Sequence, residues 1–139
     1  TANKELDLFL KWRKDFSLLQ IDLVKGNHDI LGDQWYETAG IQVHEWKLAA
    51  GPFIFLHDKK AEKDLTEEEL KQYRFTGHLH PAITLKGKGK QTLRFPCYYF
   101  TKDCAVLPAF SRFTGGYKVE PVKGEQVFAL VEDGIMQLS

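Results

Sequence analysis

At 139 residues and 43% hydrophobic content, the chain is long enough for one domain with a real core and too short for two. Lys plus Arg and Asp plus Glu both number 19, so no net field draws the protein to nucleic acid or to a membrane surface, and any attraction for phosphate has to be local. No run approaches the roughly 18 apolar residues of a transmembrane helix, and the charged N-terminus lacks the apolar centre of a signal peptide, so a cytoplasmic protein with no membrane association is expected.

Leu6, Phe9, Leu10 and Phe16 recur at helical spacing between charges, which predicts an amphipathic helix over Asn3 to Phe16 with Asn3 as its N-cap. Ile21 to Val24 reads as a strand feeding Gly26-Asn27-His28-Asp29, and a polar turn or short helix follows over Gly32 to Thr38. Ile41 to Leu48 alternates weakly as a strand, and Pro52 to Leu56 is a continuous apolar run of the buried kind, ending at His57. Lys59 to Asp64 reads as a charged loop. Thr66 and Glu69 form a capping-box pattern opening a helix over Thr66 to Tyr73, and Arg74 to Thr76 then leads into Gly77-His78-Leu79-His80. After Pro81 the pattern becomes β-rich: Ala82 to Lys86, Gln91 to Phe95, Cys97 to Phe100, Ala105 to Leu107, Gln126 to Val131 and Ile135 to Leu138 predict an antiparallel meander. The expected fold class is α/β, one domain over residues 1–139, with alternating strands and helices first and hairpins after.

Asn27, His57 and His78 or His80 each follow a strand-like run, so one α/β sheet would deliver them to the carboxyl ends of its strands, where such sheets bind ligands. Imidazoles and an amide oxygen suit a divalent transition ion, with manganese, iron and zinc all acceptable. By composition GNHD is expected on the order of once in a few thousand chains of this length, so its occurrence upstream of a GHxH string is informative. Cys97 and Cys104 flank a turn at Thr101-Lys102-Asp103 that puts them out of register, which predicts free packing thiols.

GNHD, a histidine closing an apolar strand, and GHLH together resemble the calcineurin-like metallophosphoesterase superfamily. GHLHPA at Gly77 to Ala82, RFPCYYF at Arg94 to Phe100 and LPAFSRFTGG at Leu107 to Gly116 resemble, within it, the bacterial ligase-associated DNA damage response endonucleases. The resemblance runs from Trp12 onward. It implies a β-sandwich flanked by helices in an αββα arrangement, of which this chain is the later half with its C-terminal meander. It implies two divalent ions, manganese foremost with iron or zinc as alternatives: Asn27, His57 and His78 on one, His80 on the other. It gives His28 a catalytic role, steadying the phosphoryl charge or protonating the leaving oxygen, with Asp29 orienting its ring, and makes Arg94 a substrate-binding residue. The family's Asp-x-His and Gly-Asp motifs precede GNHD, and neither occurs between Thr1 and Lys25, so the chain is expected to be a C-terminal portion. Gly32-Asp33 has the right letters in the wrong place.

The implied function is a metal-dependent phosphodiesterase, a DNA endonuclease of repair acting through a two-metal-activated hydroxide. DNA or a related phosphodiester is the substrate, with DNA ligase, helicase and exonuclease partners and homo-oligomerisation also open. Two alternatives stand beside it: a non-catalytic module binding a ligase or helicase, and a phosphomonoesterase on small esters. Plainer readings fit other residues. His44 is read as structural, Lys86, Lys88 and Lys90 as a solvated hairpin tip, Trp12, Trp35 and Trp46 as core or interface anchors, and Thr114-Gly115-Gly116 as either a turn or a phosphate-facing loop.

Overall fold

A computed structural model describes residues 2–87, 89, 91–111 and 116–138, the first two by backbone alone. Lys88, Lys90, Thr114 and Gly115, named above, lie outside them. The chain divides into two compact units, Thr1–Trp46 and Lys47–Ser139.

In the first unit, α1 (Ala2–Asp15) precedes β1 (Ile21–Val24), α2 (Asp33–Ala39) and β2 (Ile41–His44). The helix starts at Ala2, so Asn3 lies inside it and is not its N-cap. β1 and β2 pair in parallel from Ile21↔Ile41 to Val24↔His44, and Lys25 N–H carries the ladder one step further to the His44 carbonyl at 2.8 Å. Gly40 ends α2 in a left-handed conformation, φ 64°, the usual helix stop. Tyr36 and Ala39 are the buried residues of α2.

The second unit holds β3 (Lys47–Ala50), β4 (Phe53–Leu56), a 3-10 helix (Lys59–Asp64), α3 (Glu67–Leu70), β5 (Tyr73–Thr76), β6 (Pro81–Lys86), β7 (Thr92–Phe100), β8 (Cys104–Val106), β9 (Tyr117–Lys118), β10 (Gln126–Val131) and β11 (Gly134–Gln137). Among the described residues they form one mixed sheet in the order β11-β10-β7-β8-β5-β4-β3, with β6 joining β7 and β9 joining β6. The α/β class is as expected.

Several local expectations change. The single strand over Ile41 to Leu48 is two strands, split at Glu45-Trp46 and belonging to different sheets. The charged segment Lys59 to Asp64 is helical because Asp58 caps it, its side chain accepting from Lys60 N–H at 3.0 Å. The Thr66–Glu69 capping box is present in both directions, but the helix it opens stops at Leu70 and Tyr73 starts β5. Residues read as two strands around Pro96 make one. Pro96 lies where β7 ends its pairing to β6 and begins its pairing to β10, a position that tolerates a missing N–H. The C-terminal half is not a simple meander, because β8 runs parallel to β5 and β9 parallel to β6.

The buried run in β4 is one-sided: Ile54 and Leu56 pack with Leu65 and Ala61 under the 3-10 helix, while Phe53 and Phe55 meet Phe75 on the other face. A second cluster joins Cys97, Val119 and Val127. Both cysteines are free and buried. Trp12 and Trp46 are about two-fifths exposed and are not core residues. No helix among the described residues is long and apolar enough to cross a membrane.

Candidate functional site

Parallel pairing of β4, β5 and β8 brings three strand ends to one edge of the second unit's sheet, with Leu56 opposite Thr76 and Thr76 opposite Val106. The ladder continues past these ends: Gly77 N–H donates to the His57 carbonyl at 3.0 Å and Leu107 N–H to that of Thr76 at 2.7 Å. His57 and His78 therefore leave adjacent strands side by side. Their rings meet near-perpendicular, at 71°, with Nε2 of His57 3.0 Å from Nδ1 of His78.

The other nitrogen of His78, Nε2, lies 3.7 Å from Asp58 Oδ2. Asp58 thus serves two ends, one oxygen capping the 3-10 helix and the other facing the imidazole. At 3.7 Å the second contact is longer than a hydrogen bond. Sequence reasoning passed over Asp58; its place directly after the strand-terminal His57 is the signal that would have found it.

His78 and His80 both adopt left-handed backbone, φ 53° and 52°. Leu79 N–H donates to the Gly77 carbonyl at 2.6 Å, closing a three-residue turn on His78. Left-handed residues other than glycine cost about 1–3 kcal/mol each and gather at functional sites. The turn leaves Leu79 exposed.

His57 and His78 fit the demand of a shared cation for two ring nitrogens. Tetrahedral coordination with metal–nitrogen bonds of about 2.0–2.1 Å separates such donors by roughly 3.3 Å, and here they stand 3.0 Å apart. The pair could supply two ligands of such a set; no cluster of three or more His, Cys, Asp or Glu side chains suited to a metal occurs among the described residues.

In the first unit, Gly26 to Asp29 closes on itself. Asp29 Oδ2 accepts from Gly26 N–H at 2.7 Å and Asp29 N–H donates to the Gly26 carbonyl at 3.2 Å. Asp29 therefore holds the loop, and Asn27 and His28 are exposed on it. β1, which carries this loop, belongs to the two-stranded sheet and not to the sheet of β4 and β5, so the expected common sheet edge for Asn27, His57 and His78 is not found. His44, read as structural, pairs its Nε2 with Asp22 Oδ1 at 2.7 Å across β1 and β2. That hydrogen bond is the main reason the Asp22 carboxyl is held below its ordinary value, against a smaller opposing effect of desolvation.

Arg94 sits on β7 opposite Thr84, and its Nη2 donates to the Gly116 carbonyl. A cleft beside the GHLH loop is lined by Leu79, Tyr99, Tyr117, Lys118, Val119 and Glu120. Burial, reinforced by a hydrogen bond to Glu125, pushes the Tyr99 hydroxyl up to about 12.

No family model matches the chain, and no curated protein does. Among solved structures it is similar to the crystal structure of the Pseudomonas putida nuclease MPE, with a TM-score of 0.73 and 28% identity. The likeness covers 96% of this chain and 60% of the nuclease, so the chain spans about three-fifths of that protein's length. In fold and in sequence, the chain is similar to a nuclease.

Proposed function

We propose that this chain carries part of the site of a metallophosphoesterase-type nuclease, a metal-dependent phosphodiesterase acting on DNA. The observation that carries the reading is the His57–His78 pair at the carboxyl ends of adjacent parallel strands, followed by a second left-handed histidine, His80. Likeness to a nuclease supports it independently.

In this reading His57 and His78 would hold one divalent ion and His80 would contribute to a second, manganese foremost, with iron or zinc as alternatives. A bound divalent cation would supply Lewis-acid polarisation of a phosphoryl oxygen and water acidic enough to attack phosphorus near neutral pH. Asp58 faces His78 at Nε2, which leaves Nδ1 for the position shared with His57. His28, exposed on a loop that Asp29 closes, donates a proton to the leaving oxygen. A cytoplasmic DNA-repair setting alongside ligase, helicase and exonuclease partners belongs to the same proposal.

The incomplete ligand set among the described residues favours one competing reading, a partner-binding module without chemistry. Metal-dependent hydrolysis of a model phosphodiester separates the two. We expect turnover with Mn2+ that His80→Ala abolishes; turnover unchanged in that variant removes the metal mechanism, and no metal uptake by a folded protein supports the module.

A further inference from the structure

His80 holds a left-handed backbone that its own side chain disfavours, and such a conformation persists only where its surroundings over-determine it. What holds it is a short strap. Tyr117 N–H donates to the His80 carbonyl at 2.9 Å and Val119 N–H to that of Ala82 at 2.9 Å, laying β9 in parallel register on β6, Pro81 against Tyr117 and Ala82 against Lys118.

A two-residue parallel ladder is too short to hold itself. Its far end is secured by Val119, which is 2% exposed in the cluster with Cys97 and Val127. Its near end is Gly116. A Cβ there would lie 2.8 Å from Cβ of Ala82 and 3.4 Å from the His80 carbonyl oxygen, so the backbone passes too close for any side chain. The Gly116 carbonyl is taken by the Arg94 guanidinium from β7, on the other side of β6 from β9.

We propose that Arg94 is a positioning residue: by holding the Gly116 carbonyl it seats the β9 strap, whose Tyr117 N–H fixes the His80 carbonyl and with it the direction of the His80 imidazole. A guanidinium suits the task because its fork keeps a fixed geometry and its charge does not titrate. The catalytic consequence rests on the role given to His80 above, whereas the positioning itself does not.

The test therefore starts without metal or substrate. In Arg94→Gln, hydrogen exchange of the Tyr117 amide accelerates by at least about tenfold and the His80 Cα chemical shift moves toward its unstrained value, while exchange in the β7–β10 ladder is unchanged. Gly116→Ala produces the same pattern from the other side of the contact. Wild-type exchange at Tyr117 in Arg94→Gln overturns the proposal, and does so decisively if that variant loses substrate binding, since Arg94 is then a direct contact. Added Zn2+, which is diamagnetic, is expected to shift the ring signals of His57, His78 and His80 in the wild type, with the His80 ring alone unshifted in Arg94→Gln. If Zn2+ shifts none of the three in the wild type, the metal reading fails, and the exchange result still decides the proposal.

Discussion

His57 and His78 face each other across two parallel strands, Nε2 to Nδ1 at 3.0 Å, because β4 and β5 end in register and each is followed at once by its histidine. That register brings their backbones together, and the two ring nitrogens meet within hydrogen-bond distance. A one-residue slip would send one ring to the opposite face of the sheet.

Removing either ring should therefore be felt at the other. His57→Ala and His78→Ala are each expected to weaken Mn2+ or Zn2+ binding by more than the roughly 10–100-fold that loss of an outer-shell partner costs. Asp58→Asn should fall within that range. Titration calorimetry on the three variants orders them, and equal affinities across the set would show that the pair holds no ion.

The left-handed histidines predict a trade of stability for function. His80→Gly removes a penalty of about 1–2 kcal/mol and adds a backbone-entropy cost of about 0.5–1 kcal/mol, so the variant should be as stable as the wild type or slightly more so. His80→Val, β-branched, should lose stability. Urea unfolding distinguishes them, and both glycine variants, at 78 and at 80, should lose metal-dependent turnover.

The Asp22–His44 contact sets an acid limit. The folded-state pKa of Asp22 lies below its ordinary 3.8, chiefly because His44 hydrogen-bonds the carboxylate. On acidification the unfolded chain takes up the proton first, so the contribution is whole above the ordinary value and disappears as pH falls from about 4 through the folded pKa. Asp22→Asn should flatten that part of the stability curve and leave the neutral range otherwise parallel to the wild type. Thermal melts across the acid range give the comparison.

Burial pushes the Cys97 thiol from 9.0 up to about 11, and the residue is fully buried. Cys104 is raised by burial as well. Neither should react with iodoacetamide in the native protein at about pH 8, where the thiolate is the reactive form. Both should react on denaturation, and mass spectrometry counts the adducts; fast labelling of Cys97 in the native state would contradict the packed core.

Local order was legible in the sequence. β1 and β10 fall where their apolar runs fall, the Thr66–Glu69 capping box forms as its spacing predicts, and the two thiols miss each other because the Thr101–Asp103 turn is tight. These depend on residues within a turn or two of one another, where side-chain chemistry differs from position to position. The histidine strings were equally plain, since glycine beside a ligand-type residue stands out from composition alone.

Strand partnership was decided only by the tertiary structure. The insertion of β8 in parallel beside β5, the change of partner along β7 at Pro96, and the separation of β2 from β3 all rest on backbone hydrogen bonds that every residue offers alike. The left-handed turns at His78 and His80, the double use of the Asp58 carboxylate and the grip of the Arg94 guanidinium on Gly116 were likewise decided by the tertiary structure. The sequence by itself determined where the histidine-bearing strings stand and that His57 and His78 follow strands. Only the fold decided that His57 and His78 share an edge and how His80 is held, because those contacts exist between positions that no local pattern links.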